Sequence, residues 1–149
     1  MSPISYLRLQ ARRLLADFQT IYQSDDGRFL YRPRYFAVEA IVSNFHLGYV
    51  TETSVAYAEH VVALMLGYPS WSALSFASET RQELARLRFE NQRLYSLSAW
   101  PSYMAWFQES NGVRLDAEGE KALFLYMIRN AAETDNVGYF LQPATNQSE

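Results

Sequence analysis

Apolar side chains recur every three or four positions along much of this chain of 149 residues, and that spacing is typical of amphipathic α-helices. The first such stripe follows Ser2 and Pro3, residue types that favour a helix start. We expect this helix to end at the turn-forming residues 24–27, with Asp17 off its apolar stripe. The stripe comprises Ile4, Leu7, Ala11, Leu14, Leu15, Phe18, Ile21 and Tyr22.

Six further segments carry helical periodicity, and capping or breaking residues lie at their ends. They cover residues 37–48, 55–66, 70–76, 79–95, 98–111 and 116–129. We expect Asn111 and Gly112 to close the fifth of them and Asp116 to cap the sixth. The segment 55–66 is apolar on nearly every side, so we expect it to be the central helix, ended by Gly67. Residues 28–36, which contain Pro33, predict a loop or a short edge strand, and residues 137–141 predict an extended segment.

These patterns predict an all-α fold, a single compact bundle of about six to seven helices that allows one short extended segment. We expect one helical domain over residues 1–142 and a disordered tail over residues 143–149. A chain of 149 residues buries enough surface to fold without disulfides or metals. The absence of cysteine excludes disulfides, thiolate zinc sites and cysteine nucleophiles.

The hydropathy of the chain indicates its location in the cell. Its apolar stretches fall short of the roughly 18 residues that a membrane-spanning helix requires. The first residues lack the basic and apolar regions of a secretory signal, so we expect a soluble cytoplasmic protein.

The net charge of −3 conceals a gradient, because residues 1–50 hold six arginines and four acidic residues, whereas residues 101–149 hold three basic and seven acidic residues. Such asymmetry can orient a partner.

The residue types that usually support catalysis are sparse. His46 and His60 lie far apart and form no metal-binding pair, and the dispersed glycines form no phosphate-binding loop. Asp116, Glu118 and Glu120 cluster, but the helix dipole favours acidic residues in a first helical turn. We therefore predict no enzymatic activity, no catalytic residue, no metal and no cofactor.

Residues 28–35 interleave three arginines with aromatic side chains. Such a mixture is typical of surfaces that bind proteins or stack on the bases of nucleic acids. Alternatively, the aromatic residues anchor a long loop on the bundle while the arginines remain solvated. The predicted partner-binding residues are Arg28, Tyr31, Arg32, Arg34 and Tyr35.

The predicted helix 79–95 carries residues spaced by three, four and three, which matches positions a, d, a and d of a short heptad repeat. Those residues are Leu84, Leu87, Asn91 and Leu94. Glu83 and Arg88 then occupy positions that pair between parallel chains. This pattern indicates a homodimer seam, although a seam within one chain explains the same spacing.

A corner between two helices is indicated by residues 54–78, whose centre reads VALMLGYPSWSAL. This segment resembles the helix-turn-helix corner of AraC-type transcriptional regulators, although Phe76 and Glu79 stand where that family is usually basic. The resemblance implies a second helix that enters a DNA groove, in a dimeric protein. The DNA-binding residues predicted from the corner, and from arginines that a DNA-binding face should gather on one side, are Arg12, Arg13, Ser70, Ser72 and Arg81.

A second resemblance combines residues 7–15 (LRLQARRLL) with residues 67–74 (GYPSWSAL). Together they are similar to small bacterial helical modules that occur alone or beside glyoxalase-like domains. This resemblance includes Trp71 and implies no catalytic residue, because such modules have no clear activity. The same glycine, tyrosine and tryptophan also suit a tight helical corner filled by aromatic rings.

These observations favour a non-enzymatic bacterial accessory or regulatory protein, of a plasmid or phage type, that binds a macromolecule and most readily a protein. The alternatives are a helix-turn-helix regulator with DNA as its partner, and a small-molecule-binding or enzymatic protein. The last would use an aromatic pocket around Trp71, Trp100 and Trp106.

Overall fold

The computed structural model describes residues 1–37, 41 and 54–133, and its fold is all-α as predicted. Those residues form six helices and one antiparallel sheet of two short strands. The helices are α1 (Pro3–Phe18), α2 (Val55–Met65), α3 (Trp71–Ser75), α4 (Glu79–Glu90), α5 (Ala99–Asn111) and α6 (Ala117–Glu133), and the strands are β1 (Tyr22–Gln23) and β2 (Phe29–Leu30).

The chain divides into two compact units, unit 1 (Met1–Ser75) and unit 2 (Phe76–Glu149). The helix predicted over residues 37–48 lies outside the described residues except at two positions, and the segments 137–141 and 143–149 lie wholly outside them. The single domain over residues 1–142 therefore stays a prediction. No helix within the described ranges is long and apolar enough to cross a membrane.

Helix α1 begins where the sequence predicts. Ser2 caps it by accepting a hydrogen bond from the Ser5 backbone N–H, with 3.1 Å between Oγ and N, and Pro3 is the first helical residue. One face packs against α2, and the residues of that face are buried as predicted. They are Leu7, Ala11, Leu14, Leu15 and Phe18.

The end of α1 corrects the prediction, because the helix stops at Phe18 and the chain then forms a hairpin. The Thr20 hydroxyl donates a hydrogen bond to the Asp17 carbonyl oxygen at 2.6 Å, which satisfies a terminal helical carbonyl. Tyr22 pairs with Leu30 across the hairpin. The predicted turn over residues 24–27 is confirmed, and the φ of +86° at Gly27 suits it.

Helix α2 is less enclosed than predicted, because some of its apolar residues are exposed. Ala58, Val61 and Val62 are buried, whereas Leu64 is 52% exposed and Val55 is 37% exposed. The predicted helix end at Gly67 is confirmed by its left-handed φ of +88°. The apolar composition of this segment therefore predicts more burial than the helix has.

The core of unit 2 lies where α4, α5 and α6 pack together. It consists of Leu84, Trp100, Met104, Phe124 and Met127. The predicted caps of α5 and α6 are confirmed. Gly112 ends α5 in the left-handed conformation, and the Asp116 carboxylate accepts a hydrogen bond from the Gly119 N–H at 2.8 Å.

Tyr95 lies beside this core, with its ring centroid 5.8 Å from that of Trp100 and 6.5 Å from that of Phe124. Burial raises the pKa of Tyr95, and the nearby Tyr103 raises it further. Folding thus favours the neutral phenol. The resulting stabilisation is complete below pH about 10, the usual pKa of unfolded tyrosine, and is lost as the pH rises through the higher pKa of the folded state.

We therefore expect Tyr95→Phe to flatten the alkaline fall in the free energy of unfolding. Urea unfolding between pH 9 and pH 11, followed by tryptophan fluorescence, measures this slope at pH values on either side of the usual tyrosine pKa of about 10. Tyr126→Phe is the control, because the Tyr126 side chain is 57% exposed. Equal slopes in the two variants would contradict a role for Tyr95 burial.

Candidate functional site

A buried carboxylate fixes the backbone of the arginine-rich segment. The Asp17 side chain is only 1% exposed, although the sequence pattern left it off the apolar stripe. Its Oδ1 accepts the Arg34 backbone N–H at 2.8 Å, and its Oδ2 accepts those of Tyr35 and Phe36 at 2.9 and 2.7 Å. Asp17 is therefore an internal anchor for three consecutive residues, and its predicted place off the buried face was wrong.

A second contact holds the same segment further upstream. The Arg32 backbone N–H donates to the Thr20 hydroxyl oxygen at 2.8 Å, just beyond the end of α1. The backbone from Arg32 to Phe36 is thus tied to two residues of the α1 terminus. Arg32, Arg34 and Tyr35 remain exposed in unit 1 despite this attachment.

Guanidinium groups stack on tyrosine rings around this segment. Arg13 lies 5.0 Å and Arg34 5.6 Å from the centroid of the Tyr35 ring, and Arg32 lies 4.2 Å from that of Tyr22. These distances are within the range of cation–π attraction. We name these five residues the arginine–tyrosine surface.

The five predicted partner-binding residues have different surroundings. Arg32, Arg34 and Tyr35 belong to the arginine–tyrosine surface. Arg28 lies near the hairpin turn, where its Nε is 2.8 Å from a carboxylate oxygen of Asp26. Tyr31 is half-buried with its ring centroid 6.0 Å from that of Phe18, and burial raises the pKa of Tyr31. Tyr31 thus fits the interpretation as an anchor of the loop, whereas the other four side chains are exposed.

Sequence reasoning did not connect Arg13 or Tyr22 with this segment. Arg13 lies on α1, 22 positions before Tyr35, and its aromatic contact depends on how the chain returns to the helix. The hairpin likewise brings Tyr22 to Arg32. No local sequence pattern indicates either contact.

The residues predicted to contact DNA are spread over both units. Arg12 is exposed on α1, next to Arg13. Ser70 caps α3, its Oγ accepting the Ala73 N–H at 3.0 Å, and Ser72 is exposed on that helix. Arg81 belongs to unit 2. The helix that the AraC resemblance would place in a groove spans only five residues, Trp71–Ser75.

The predicted dimer seam is largely occupied inside unit 2. Leu84 is 3% exposed in the core, and Leu87 packs against that core. Helix α4 ends at Glu90, so the prediction that it continues to residue 95 was wrong. Asn91 caps α4 by donating its side-chain amide to the Leu87 carbonyl oxygen at 2.8 Å, and Leu94 lies beyond the helix. Three of the four residues therefore have a role within unit 2.

The charged residues predicted to flank this seam also have partners in unit 2. Glu83 forms an ion pair with Lys121, in which the Glu83 Oε1 lies 2.7 Å from the Lys121 Nζ. This hydrogen bond raises the pKa of Lys121. The buried Arg88 donates a hydrogen bond to the Leu97 carbonyl oxygen at 2.9 Å. These contacts favour the interpretation as a seam within one chain.

The tryptophans proposed to line an aromatic pocket have unlike environments. Trp100 is 1% exposed and fills the core of unit 2, whereas Trp106 is 58% exposed. Trp71 belongs to unit 1, where the Arg8 guanidinium lies 5.7 Å from its ring centroid. The Trp100 side chain is therefore part of the packed core of unit 2.

The acidic residues at the start of α6 do more than match the helix dipole. Glu120 accepts the Trp100 indole N–H at 2.7 Å and pairs with Arg81 at 2.6 Å. Glu118 accepts a hydrogen bond from the Thr80 hydroxyl at 2.6 Å. These bonds connect α6 to α4 and α5, a role that the sequence analysis missed.

Metal coordination finds no support in the described part of the chain, where no three His, Cys, Asp or Glu side chains are placed to hold an ion. Comparisons with protein-family models, with curated proteins and with solved structures gave no match. The arginine–tyrosine surface is the candidate site, because it combines exposed side chains with a firmly attached backbone.

Proposed function

We propose that this chain acts by binding a protein partner through the arginine–tyrosine surface, without catalysing a reaction. The observation that carries the proposal is the anchoring of residues 34–36 by the buried Asp17 carboxylate. An exposed segment with a fixed backbone loses little conformational entropy on binding. Arginine and tyrosine are also residue types enriched among those that dominate binding energy at protein interfaces.

The charge distribution supports a protein partner over DNA. Residues 1–75 hold six arginines and six acidic residues, so unit 1 has no excess of basic side chains. Asp25 and Asp26 lie at the turn of the hairpin that precedes the arginine-rich segment. A DNA-binding surface instead gathers an extended basic patch, because its affinity depends on several phosphate contacts.

Photocross-linking in the native bacterial host tests this proposal directly. A photoreactive amino acid at Ala16, an exposed α1 position one turn from Arg13, should capture a protein. The same substitution at Ala122, an exposed position on α6, is the matched control and should not capture that protein. Capture of nucleic acid from position 16 would favour the helix-turn-helix alternative instead.

The captured protein then allows an affinity measurement. We expect the double variant Arg34→Glu with Tyr35→Ala to weaken its binding about a hundredfold, because the variant removes two candidate hot-spot residues. Calorimetry with purified proteins measures the change. Arg114→Glu introduces the same charge at an exposed position of unit 2 and should leave the affinity within about twofold. Unchanged binding by the double variant would contradict the proposed surface.

A further inference from the structure

Among the described residues, the arginines of the arginine–tyrosine surface lack the ion pairs that several other arginines of the chain form. Arg8, Arg28 and Arg81 each lie within 3.0 Å of a carboxylate oxygen. By contrast, Arg13, Arg32 and Arg34 form no ion pair with the described residues. Each of these three guanidinium groups lies over a tyrosine ring.

The carboxylate attached to this segment bonds to its backbone. Asp17 directs both oxygens at backbone N–H groups of residues 34–36. It forms no ion pair with a guanidinium group of the described residues. Arg13 and Arg34 thus lie on one ring without a salt bridge to a side chain in the described part of the chain.

The geometry around Tyr35 limits how far apart the groups of a ligand that pairs with both arginines can lie. Arg13 and Arg34 lie 5.0 and 5.6 Å from the same ring centroid, so their separation cannot exceed the sum of those distances. Alternate side chains of an extended peptide are about 7 Å apart, which fits within that limit. A guanidinium group also pairs well with carboxylates, because its planar donors match both oxygens.

We infer that the arginine–tyrosine surface binds an extended acidic peptide segment, in which carboxylates two residues apart pair with Arg13 and Arg34. This inference rests on the proposed function and names the chemistry of the partner. A peptide ligand suits a patch of three arginines better than a nucleic acid does, because a phosphate backbone needs a longer basic track.

A labelled peptide provides the probe. Fluorescence anisotropy with Gly-Glu-Ser-Glu-Ser-Glu-Gly should show binding to the full chain that weakens as salt is added, because exposed charges are screened. The counterpart with glutamine in place of glutamate should bind at least about tenfold more weakly. Equal binding of the two peptides would overturn the inference.

Paired variants locate the binding. Arg13→Gln with Arg34→Gln leaves Asp17 and Tyr35 in place and should weaken peptide binding about tenfold or more. The control, Arg93→Gln with Arg114→Gln, removes two exposed arginines of unit 2 and should stay within about twofold. Equal loss in the two double variants would show a non-specific charge effect and reject the site.

A measurement on the unaltered protein guards against misfolded variants. In NMR spectra, the acidic peptide should shift the Nε–Hε signals of Arg13 and Arg34 and leave those of Arg93 and Arg114 in place. The absence of any selective shift at saturating peptide would reject the inference. Tighter binding of labelled duplex DNA through Arg13 and Arg34 would likewise reject a peptide ligand.

The inference and the proposed function can fail separately. Suppose that the photoreactive residue at position 16 captures a protein whose binding needs Tyr35, but the acidic peptide does not bind. The proposed function then stands and the inferred ligand is wrong. If the peptide binds through Arg13 and Arg34 but no protein is captured, the inferred site for acidic peptides stands and the proposed protein partner is wrong.

Discussion

Asp17→Ala should lower the free energy of unfolding of the chain by about 4 kcal/mol, which is a large part of the stability of an ordinary domain. The substitution removes an acceptor of three backbone N–H groups. A hydrogen bond to a charged group contributes about 1.5–3 kcal/mol, and the freed N–H groups recover part of that loss from water.

Urea unfolding followed by far-UV circular dichroism measures the effect of Asp17→Ala. Asp25→Ala is the control, since Asp25 is an exposed residue of the hairpin turn and should change stability by no more than about 0.5 kcal/mol. Hydrogen exchange of the amides of residues 34–36 should also accelerate in the Asp17 variant alone. Similar unfolding curves for the two variants would show that the anchor is dispensable.

Trp100→Ala should have an effect of similar size in unit 2, about 4 kcal/mol, because truncating a buried tryptophan leaves a cavity. Trp100 is 1% exposed, and its ring centroid lies 5.1 Å from that of Phe124. Its indole N–H also donates to Glu120, so the truncation removes one partner of a half-buried carboxylate.

Trp106→Ala is the matched control for this prediction, because the Trp106 side chain is 58% exposed. We expect it to cost no more than about 1 kcal/mol in thermal or urea unfolding. Near-ultraviolet circular dichroism should lose most of its tryptophan signal in the Trp100 variant. A larger loss of stability at Trp106 than at Trp100 would contradict the assignment of the core.

Local sequence signals predicted the helix starts and ends that short-range chemistry determines. Ser2, Asp116 and the glycines at positions 67 and 112 act within a few residues of their own positions, and the structure confirms each as a cap. The C-terminus of α4 was missed because Asn91 caps that helix, while the leucine spacing continued beyond it.

The candidate site was only partly predictable for a different physical reason. The arginine-rich segment is visible in the sequence, but its anchor and one stacking partner lie on α1, about 20 residues upstream. Contacts over such separations depend on how the chain turns, here on an early helix end and a hairpin. Neither has a periodic signal, so Asp17 and Arg13 could not be assigned to the segment from spacing.

Asp17 attaches the backbone of its segment, whereas the exposed side chains of that segment determine the chemical character of the surface. The carboxylate accepts hydrogen bonds from the backbone N–H groups of Arg34, Tyr35 and Phe36, and every residue type except proline supplies that group. The side chains at the exposed positions 34 and 35 can therefore be exchanged without removing the attachment. This makes the segment suitable as a display loop, on which binding specificities can be selected from a library while α1 is kept constant.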